Sequence, residues 1–509
     1  MVVIMKYPII IICAVLFTGI ALLMPASASD WTQFQKNQAN TGWTADSGPI
    51  SDPTAAWNKQ TTGTGMGGID VAPIIAGDQV FVVDYQAIVW AYDKTTGEEN
   101  WHTSCSQPGT YELSTPAYHN GILYVATSAG DFNQGYCKVT ALNANNGVIR
   151  ESKTLRTENG FQLNTPVTYS DGKIYVGEWS GTTTSTNGIG TYYCLNANDV
   201  TQILWEYQSD RTTGYYWAGA AIVGDYILFG DDTAIVTCLN KNDGTLVDYI
   251  DISQQCGCSD PVERIRSSIL WNAGTGHIYF TANNRDNAHG GYGTGHLYAV
   301  SFDSATGDLG GDNALGGGSC KWSYDLWNSK STPVYYDGRI YVGGGYKMYT
   351  SEQDGKMCCI DETDGNLIWE WTSPNGRVKA SPALSVVDGR KFIYFTTNVH
   401  DGSAYCLEDK GDTYETRWVW NPPEPDNQYF LHGMAISDGF VYCGTDYGRF
   451  YALQSDWREE WFGENSDGGT DITTTELQDA IHHWLDDLPV RGHILSVSDL
   501  QEIIAKWLT

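Results

Sequence analysis

Eight times along this chain a small residue, often Thr or Ser followed by Pro, opens an apolar run. The residues just ahead of that opening are the ones whose types could do chemistry. Two positions before it stand Asp70, Leu113, Leu163, Trp217, Arg266, Lys330, Lys379 and Leu431. Four positions before it stand Tyr111, Phe161, Tyr215, Arg264, Asn328, Arg377 and Tyr429, with Gly68 in the first copy. Three consecutive copies thus supply Arg264, Arg266, Lys330, Arg377 and Lys379, in a chain with 29 basic residues against 60 acidic ones. Cations brought together repel one another unless an anion or local carboxylates compensate. One reading is a pocket for a planar or anionic ligand, stacked on the aromatics and held by Lys and Arg. The other is structural: these side chains face neighbouring repeats and meet acids such as Asp231, Asp232 or Asp286.

Other chemistry is thinly represented. No Ser-His-Asp or metalloprotease spacing is visible, the ten His are scattered, and no carboxylate pair marks a glycosidase. Asn283 to Asn287 is polar enough for an ion loop, although Asn/Asp-rich turns are common. Of twelve Cys, Cys13 lies in the N-terminal apolar run, so the remaining eleven cannot all pair within one chain. Cys194, Cys238, Cys359 and Cys406 fall where other copies carry Ala91 or Ala141, and Cys443 falls where others have Val. These five read as small, reduced, buried hydrophobes. Cys256, Cys258, Cys105 and Cys320 lie in loops without His companions, which favours a surface disulfide over a metal.

The elements that must position the basic residues are strands. After each opening come a strand, a Gly turn such as Asn120-Gly121, Asp171-Gly172 or Asp337-Gly338, and a second strand, the pattern of a hairpin. A closing phrase follows: small residue, apolar residue, Asp or Asn, then Gly and often Trp, as in Ala91-Tyr92-Asp93…Gly97…Trp101. Its polar position recurs from Asp93 to Gln454 at a mean step of about 52 residues, enough for a four-stranded blade and its loops. The 56 Gly, 32 Tyr and 19 Trp suit many short strands. The fold expected is therefore all-β, an eight-bladed β-propeller over residues 29–455. Thr54 to Trp57 should supply the outermost strand of the last blade and close the ring. The basic and aromatic positions then lie at one mouth of the central channel.

These phrases resemble the quinoprotein-like (PQQ-repeat) propeller family, whose repeats carry a Trp-docking motif of the form Ala-x-Asp-x-x-Thr-Gly-x-x-x-Trp. Trp31-Thr32-Gln33-Phe34…Thr41-Gly42 looks like the usual opening of its secreted members. The resemblance covers about residues 31–455. It implies the fold, and it leaves function open between dehydrogenases using pyrroloquinoline quinone with Ca²⁺ and non-enzymatic scaffolds such as the bacterial outer-membrane assembly lipoprotein. Some of those dehydrogenases carry a disulfide between adjacent cysteines, for which Cys358-Cys359 is the counterpart to test. Trp217 or Trp271 stands as a candidate floor under a quinone.

Beyond the repeats, Lys6, the apolar run Tyr7 to Leu23 and Ala26-Ser27-Ala28 form an export signal over residues 1–28, with an uncleaved anchor as the alternative. Residues 456–470 read as an acidic linker. Residues 471–509 are a duplicated helix pair, in which Leu477, Ile481 and Trp484 match Leu500, Ile504 and Trp507 at a shift of 23. Thr473 and Ser496 are the expected N-caps. The duplication resembles dockerin modules, which implies docking to a scaffold or cell-surface protein through those six residues. It also implies a degenerate Ca²⁺ loop at Asn465, Asp467, Asp471 and Glu476. A cap packing back on the propeller is the alternative. The net charge of −31 argues against nucleic acid and against anionic membranes as partners, leaving only the signal segment, if uncleaved, to contact a membrane. The function expected is a secreted or cell-surface, non-catalytic propeller that binds a protein or small ligand at its mouth and is tethered by the tail, with no cofactor required. The alternative is a quinoprotein oxidoreductase using pyrroloquinoline quinone and calcium.

Overall fold

A computed structural model describes residues 30–508 apart from 62–67, 107–110, 130–135, 181–188, 210–213, 257–262, 285–294, 311–318, 346–353, 374–375, 424–428, 463–465, 467–468, 470, 487 and 491–492. The signal segment and Asp286 thus lie outside the described residues. Within them the strands form eight propeller blades. Blade 1 runs Ile74–Ala76, Gln79–Val83, Ile88–Asp93 and Glu99–Ser104, and its order from axis to rim is its order in the chain. The inner hairpins turn where Asn120-Gly121, Asp171-Gly172, Asp337-Gly338, Asp388-Gly389 and Asp438-Gly439 each place two consecutive residues at positive φ. Such paired left-handed residues match the twist of the flanking strands, and Asn, Asp and Gly accept them at least cost. The ring closes as expected. Thr54–Gln60 pairs antiparallel with Arg449–Gln454, so the first strand after the N-terminal segment completes blade 8.

Blades are fastened to one another by the closing phrase. The indole N–H groups of Trp57, Trp101, Trp205 and Trp322 donate to the backbone carbonyls of Lys94, Ala144, Lys241 and Glu362 in the next blade, at 3.1, 2.9, 3.0 and 2.8 Å. Each of these indoles lies where a Cβ on Gly97, Gly147, Gly244 or Gly365 would collide, and all four glycines are at positive φ. The small residue of the phrase is the cross-strand partner of the Trp: Ala91 faces Trp101, Cys194 faces Trp205, Cys359 faces Trp369 and Cys406 faces Trp418. The cysteines are buried free thiols, as their alignment with Ala predicts. Cys358 and Cys359 are both free, so the adjacent pair is not a disulfide. Successive strand residues point to opposite faces, and these two enter different inter-blade cores. Cys256, at the end of a short helix, and Cys320, which opens an outer strand, form a disulfide; Cys105, expected with them in a loop, is a buried free thiol, and Cys258 lies outside the described residues.

Two blades lack the docking Trp, and a carboxylate stands in its place. Glu151, opposite Ala141, accepts a hydrogen bond from Val200 N–H of blade 3 at 3.1 Å. Asp248, opposite Cys238, accepts one from Leu309 N–H of blade 5 at 2.8 Å.

The N-terminal segment winds once around the floor of the ring, in approximate blade order. Trp31 exchanges backbone hydrogen bonds with Ile75 of blade 1, and Thr32 accepts from Tyr118 of blade 2. The Gln33 side chain accepts from Tyr169 N–H of blade 3. The Gln38 and Ala39 carbonyls accept from Ile222 of blade 4 and Trp271 of blade 5. Trp43 packs edge-on against Tyr336 of blade 6 at 5.0 Å, Gly42 accepts from Leu384 of blade 7, and Ser47 accepts from Gly439 of blade 8. Gln35, Lys36 and Asn40 take positive φ to make the tight turns this path needs.

The tail helices span Thr474–Leu485 and Val497–Trp507, and both expected caps form complete capping boxes. Leu477 and Leu500 are buried in a core the two helices share, with Ile481, Trp484 and Ile504 packed at its edge. These apolar faces are therefore spent largely on each other, and Trp507 is the member of the set that stays exposed, at 40%. The start of the presumed linker belongs to this core instead. Trp457–Glu460 is a short 3-10 helix, and Trp457 and Trp461 are buried within the helical module. A groove of about 550 Å³ separates module and propeller, lined by Ile50, Arg390 and Phe392 on one side and Trp461, Glu476 and Asp479 on the other. Of the proposed Ca²⁺ ligands, Asn465 and Asp467 lie outside the described residues. The Glu476 carboxylate accepts the Thr473 N–H of its capping box at 2.7 Å, and Asp471 is exposed. Among the described residues no three His, Cys, Asp or Glu side chains cluster as a metal site.

Candidate ligand site in the central channel

Because the inner strands start at the small-residue openings, the positions two residues ahead converge on the axis. Leu113, Trp217, Arg266, Lys330, Lys379 and Leu431 line one cavity of about 40 Å³, with Phe34 of the winding segment and His432 also on its wall. The positions four residues ahead behave differently. Phe161 and Tyr215 are buried in inter-blade cores, Phe161 beneath the Arg156 guanidinium and Tyr215 against Tyr192 and Phe229. As ligand-stacking groups these two are corrected to core. Arg264 sits on Glu263–Ile265 opposite Asn283 and is not on the cavity wall. The Tyr429 ring is edge-on to His400 at 6.1 Å. The Tyr111 side chain lies outside the described residues. Of the candidate floors, Trp217 reaches the cavity and Trp271 packs on the core between blades 4 and 5.

The electrostatics of the wall are uneven. Arg266 makes a bidentate pair with Asp232, at 2.8 and 2.7 Å, and Asp232 also accepts the Trp179 indole N–H at 3.0 Å. The Arg266 guanidinium lies 4.3 Å over the Tyr216 ring. This is the acid–base pairing that the structural reading expects. Lys330 is placed otherwise. Its ammonium sits 4.4 Å over Trp217 and 5.8 Å over Tyr216, with no carboxylate in ion-pair contact among the described residues. Burial, then the charges of Arg266 and Lys379, push its pKa well down; Asp232 pulls it up, and Arg377 adds a smaller push down. Lys379 is pushed down to about 8 by burial and by Arg377, with Asp446 and Asp70 opposing. His432, edge-on to Trp217 at 6.1 Å, is pushed down to about 3 by burial and by Lys379. Burial raises the Asp446 carboxyl, with Asp70 and Lys379 opposing.

Trp217 holds φ of +60°, a conformation that costs a bulky residue on the order of 1–3 kcal/mol. Its N–H points to the Asn164 side chain at 3.4 Å. Sequence reasoning missed Phe34, Asp446 and His432. A signal existed for Asp446: it stands in blade 8 where Asp232 stands in blade 4, one residue after the turn position (Asp231, Thr445) whose side chain accepts the backbone N–H four residues on.

With the site defined, comparison with known proteins places the chain among PQQ-type propellers in fold. Residues 43–247 match the family described as outer membrane protein assembly factor BamB. BamB from Moraxella catarrhalis superposes with a TM-score of 0.52 at 15% identity, over 79% of this chain and 98% of that one. The quinohemoprotein alcohol dehydrogenase ADHIIG from Pseudomonas putida HK5 superposes with a TM-score of 0.54 at 11% identity, over 94% and 95%. The C-terminal WD40 domain of Sif2 does so with 0.53 at 8% identity, over 80% and 100%. At such identities these likenesses establish the fold alone. No curated protein matches the chain in sequence.

Proposed function

We propose that this chain, a PQQ-type propeller in fold, is an exported, non-catalytic binding protein. It receives a ligand or protein at the open mouth of its channel and is tethered outside the cell through its helical tail. The observation that carries the reading is the channel itself. Cations from three consecutive blades gather at one level, the N-terminal segment covers the floor, and the enclosed space is about 40 Å³. A space of that size holds a few water-sized bodies, far below the roughly 300 Å³ at which small-molecule pockets begin. The tricyclic quinone of the fold's dehydrogenases has carboxylates that Lys330 and Lys379 would suit and a plane that Trp217 would suit, but its body does not fit between them. The exposed Trp507, Leu485 and Leu508 of the tail support a partner there. Among the described residues no helix is long and apolar enough to cross a membrane.

The test is a titration of purified protein with pyrroloquinoline quinone, with and without Ca²⁺, read by absorbance and by dye-linked substrate oxidation. Absence of stoichiometric binding is expected. Tight one-to-one binding, weakened by Lys330→Ala or Lys379→Ala, would replace this reading with a quinoprotein oxidoreductase.

A further inference from the structure

Lys330 is the anomaly of the channel. Two of the other cations at this level have compensation: Arg266 is clamped by Asp232, and Lys379 is drawn by Asp446 and Asp70. Among the described residues Lys330 contacts the faces of Trp217 and Tyr216 and makes no ion pair, and it lies among three further cations, Arg266, Arg377 and Lys379, with Asp232 pulling the other way. Aromatic faces offset part of the cost of an ammonium but leave its hydrogen-bond donors unused. Lys330 is half-buried on the cavity wall, so its three N–H donors are open to an acceptor placed in the cavity. Lys379 and Lys330 both border the same small cavity, so one negative body there would face both.

On the reading that the channel receives a ligand, we propose that the cavity between Lys330 and Lys379 holds one small monovalent anion, of the size of a halide or formate. The cavity volume sets the size, since about 40 Å³ accommodates two or three water-sized bodies and excludes a bulky organic anion. Single charge follows from the surroundings. Asp232, Asp446 and Asp70 are already close to these lysines, so a second negative charge would meet carboxylates as well as ammonium groups. His432, on the same wall, is held uncharged at neutral pH by burial and by Lys379, and adds no cation. The Trp217 ring, held in its left-handed conformation, forms the wall beneath Lys330.

The anion binds the charged lysines, so binding is coupled to proton uptake. Raising the pH through the value near 8 of Lys379 removes charge from the empty site and weakens the anion. Between pH 7 and pH 9 this lysine alone accounts for a loss of roughly tenfold in apparent affinity.

The experiment uses the full protein in gluconate at fixed ionic strength, into which chloride, bromide or formate is exchanged while the thermal midpoint is followed. A saturable rise with all three anions, absent in gluconate and shrinking from pH 7 to pH 9, is expected. Crystals grown in bromide should show one anomalous peak within contact of the Lys330 and Lys379 ammonium groups. Lys330→Met should abolish the saturable rise. A thermal response identical to that in gluconate, or a cavity without bromide in the wild-type crystal, overturns the proposal. If Lys330→Met fails to fold, the wild-type bromide map still decides. Quinone uptake in the titration above would end the non-catalytic reading. A missing bromide together with no quinone uptake would end only the anion site.

Discussion

Asp231 and Asp232 are adjacent in the chain and opposite in circumstance. Asp231 is buried, accepts hydrogen bonds from Thr233 and Ile235 N–H, and has its pKa pushed up to about 7 by desolvation. Asp232 is clamped by Arg266. The folded state holds the Asp231 proton to a higher pH than the unfolded chain does. Between about pH 4 and pH 7 the native state therefore binds more protons, and stability falls as pH rises through that window. Asp231→Asn keeps the accepting oxygen and removes the charge. Urea unfolding should show it stabilising on the order of 3 kcal/mol at pH 8 and clearly less at pH 5. An equal gain at both values would remove burial of charge as the cause. Asp232→Asn should instead destabilise by roughly 3 kcal/mol at either pH, because it strands a buried guanidinium. At this scale the placing of Arg266, Lys330 and Lys379 on one wall was legible in the sequence, since two residues before each opening is a repeat-fixed position, whereas Arg264 and Arg377, four before it, do not line the cavity. The aromatic ring was not. Phe161–Leu163 and Glu263–Ile265 are short strands separated from the rest of the inner strand, so the period of two does not run through the intervening residues.

At the level of elements, the blade contacts rest on the indole–turn–small-residue triplet. Trp101→Ala would leave the Ala144 carbonyl without its donor and open a cavity against Gly147, so a loss of about 3–5 kcal/mol is expected in denaturant unfolding. Cys359→Ala, opposite Trp369, restores the residue found in sister blades and should cost about 1 kcal/mol, with no change on adding reductant. Comparable losses for both would mean that the thiol, and not the small volume, is what the position needs. The triplets were readable because Ala, Gly and Trp each carry a steric requirement. Glu151 and Asp248 were not, because an acid on an outer strand looks like a solvated side chain until the neighbouring blade brings a backbone N–H to it.

Two devices close the whole molecule. One is the seam at Thr54–Gln60, and the other is the winding of Trp31 to Ser47 across the floor, which touches all eight blades. Its hydrogen bonds are worth roughly 1 kcal/mol each. Deleting residues 31–47 should lower unfolding stability by roughly 5 kcal/mol and admit a hydrophobic dye to the channel from below. Unchanged stability and no dye binding would show that the blades close the floor unaided.

The sequence by itself determined the blade, its count and its seam, because hairpin turns, alternating apolar strands and docking triplets are local requirements repeated about every 52 residues. It also determined the tail helices and their caps, for the same reason. Only the tertiary structure decided which of the cations face one another, that Lys330 rests on aromatic faces while Arg266 takes the acid, and that the first described residues floor the channel. Those facts depend on ring closure, which brings residues from opposite ends of the chain and from distant blades onto one axis, a distance no local pattern encodes.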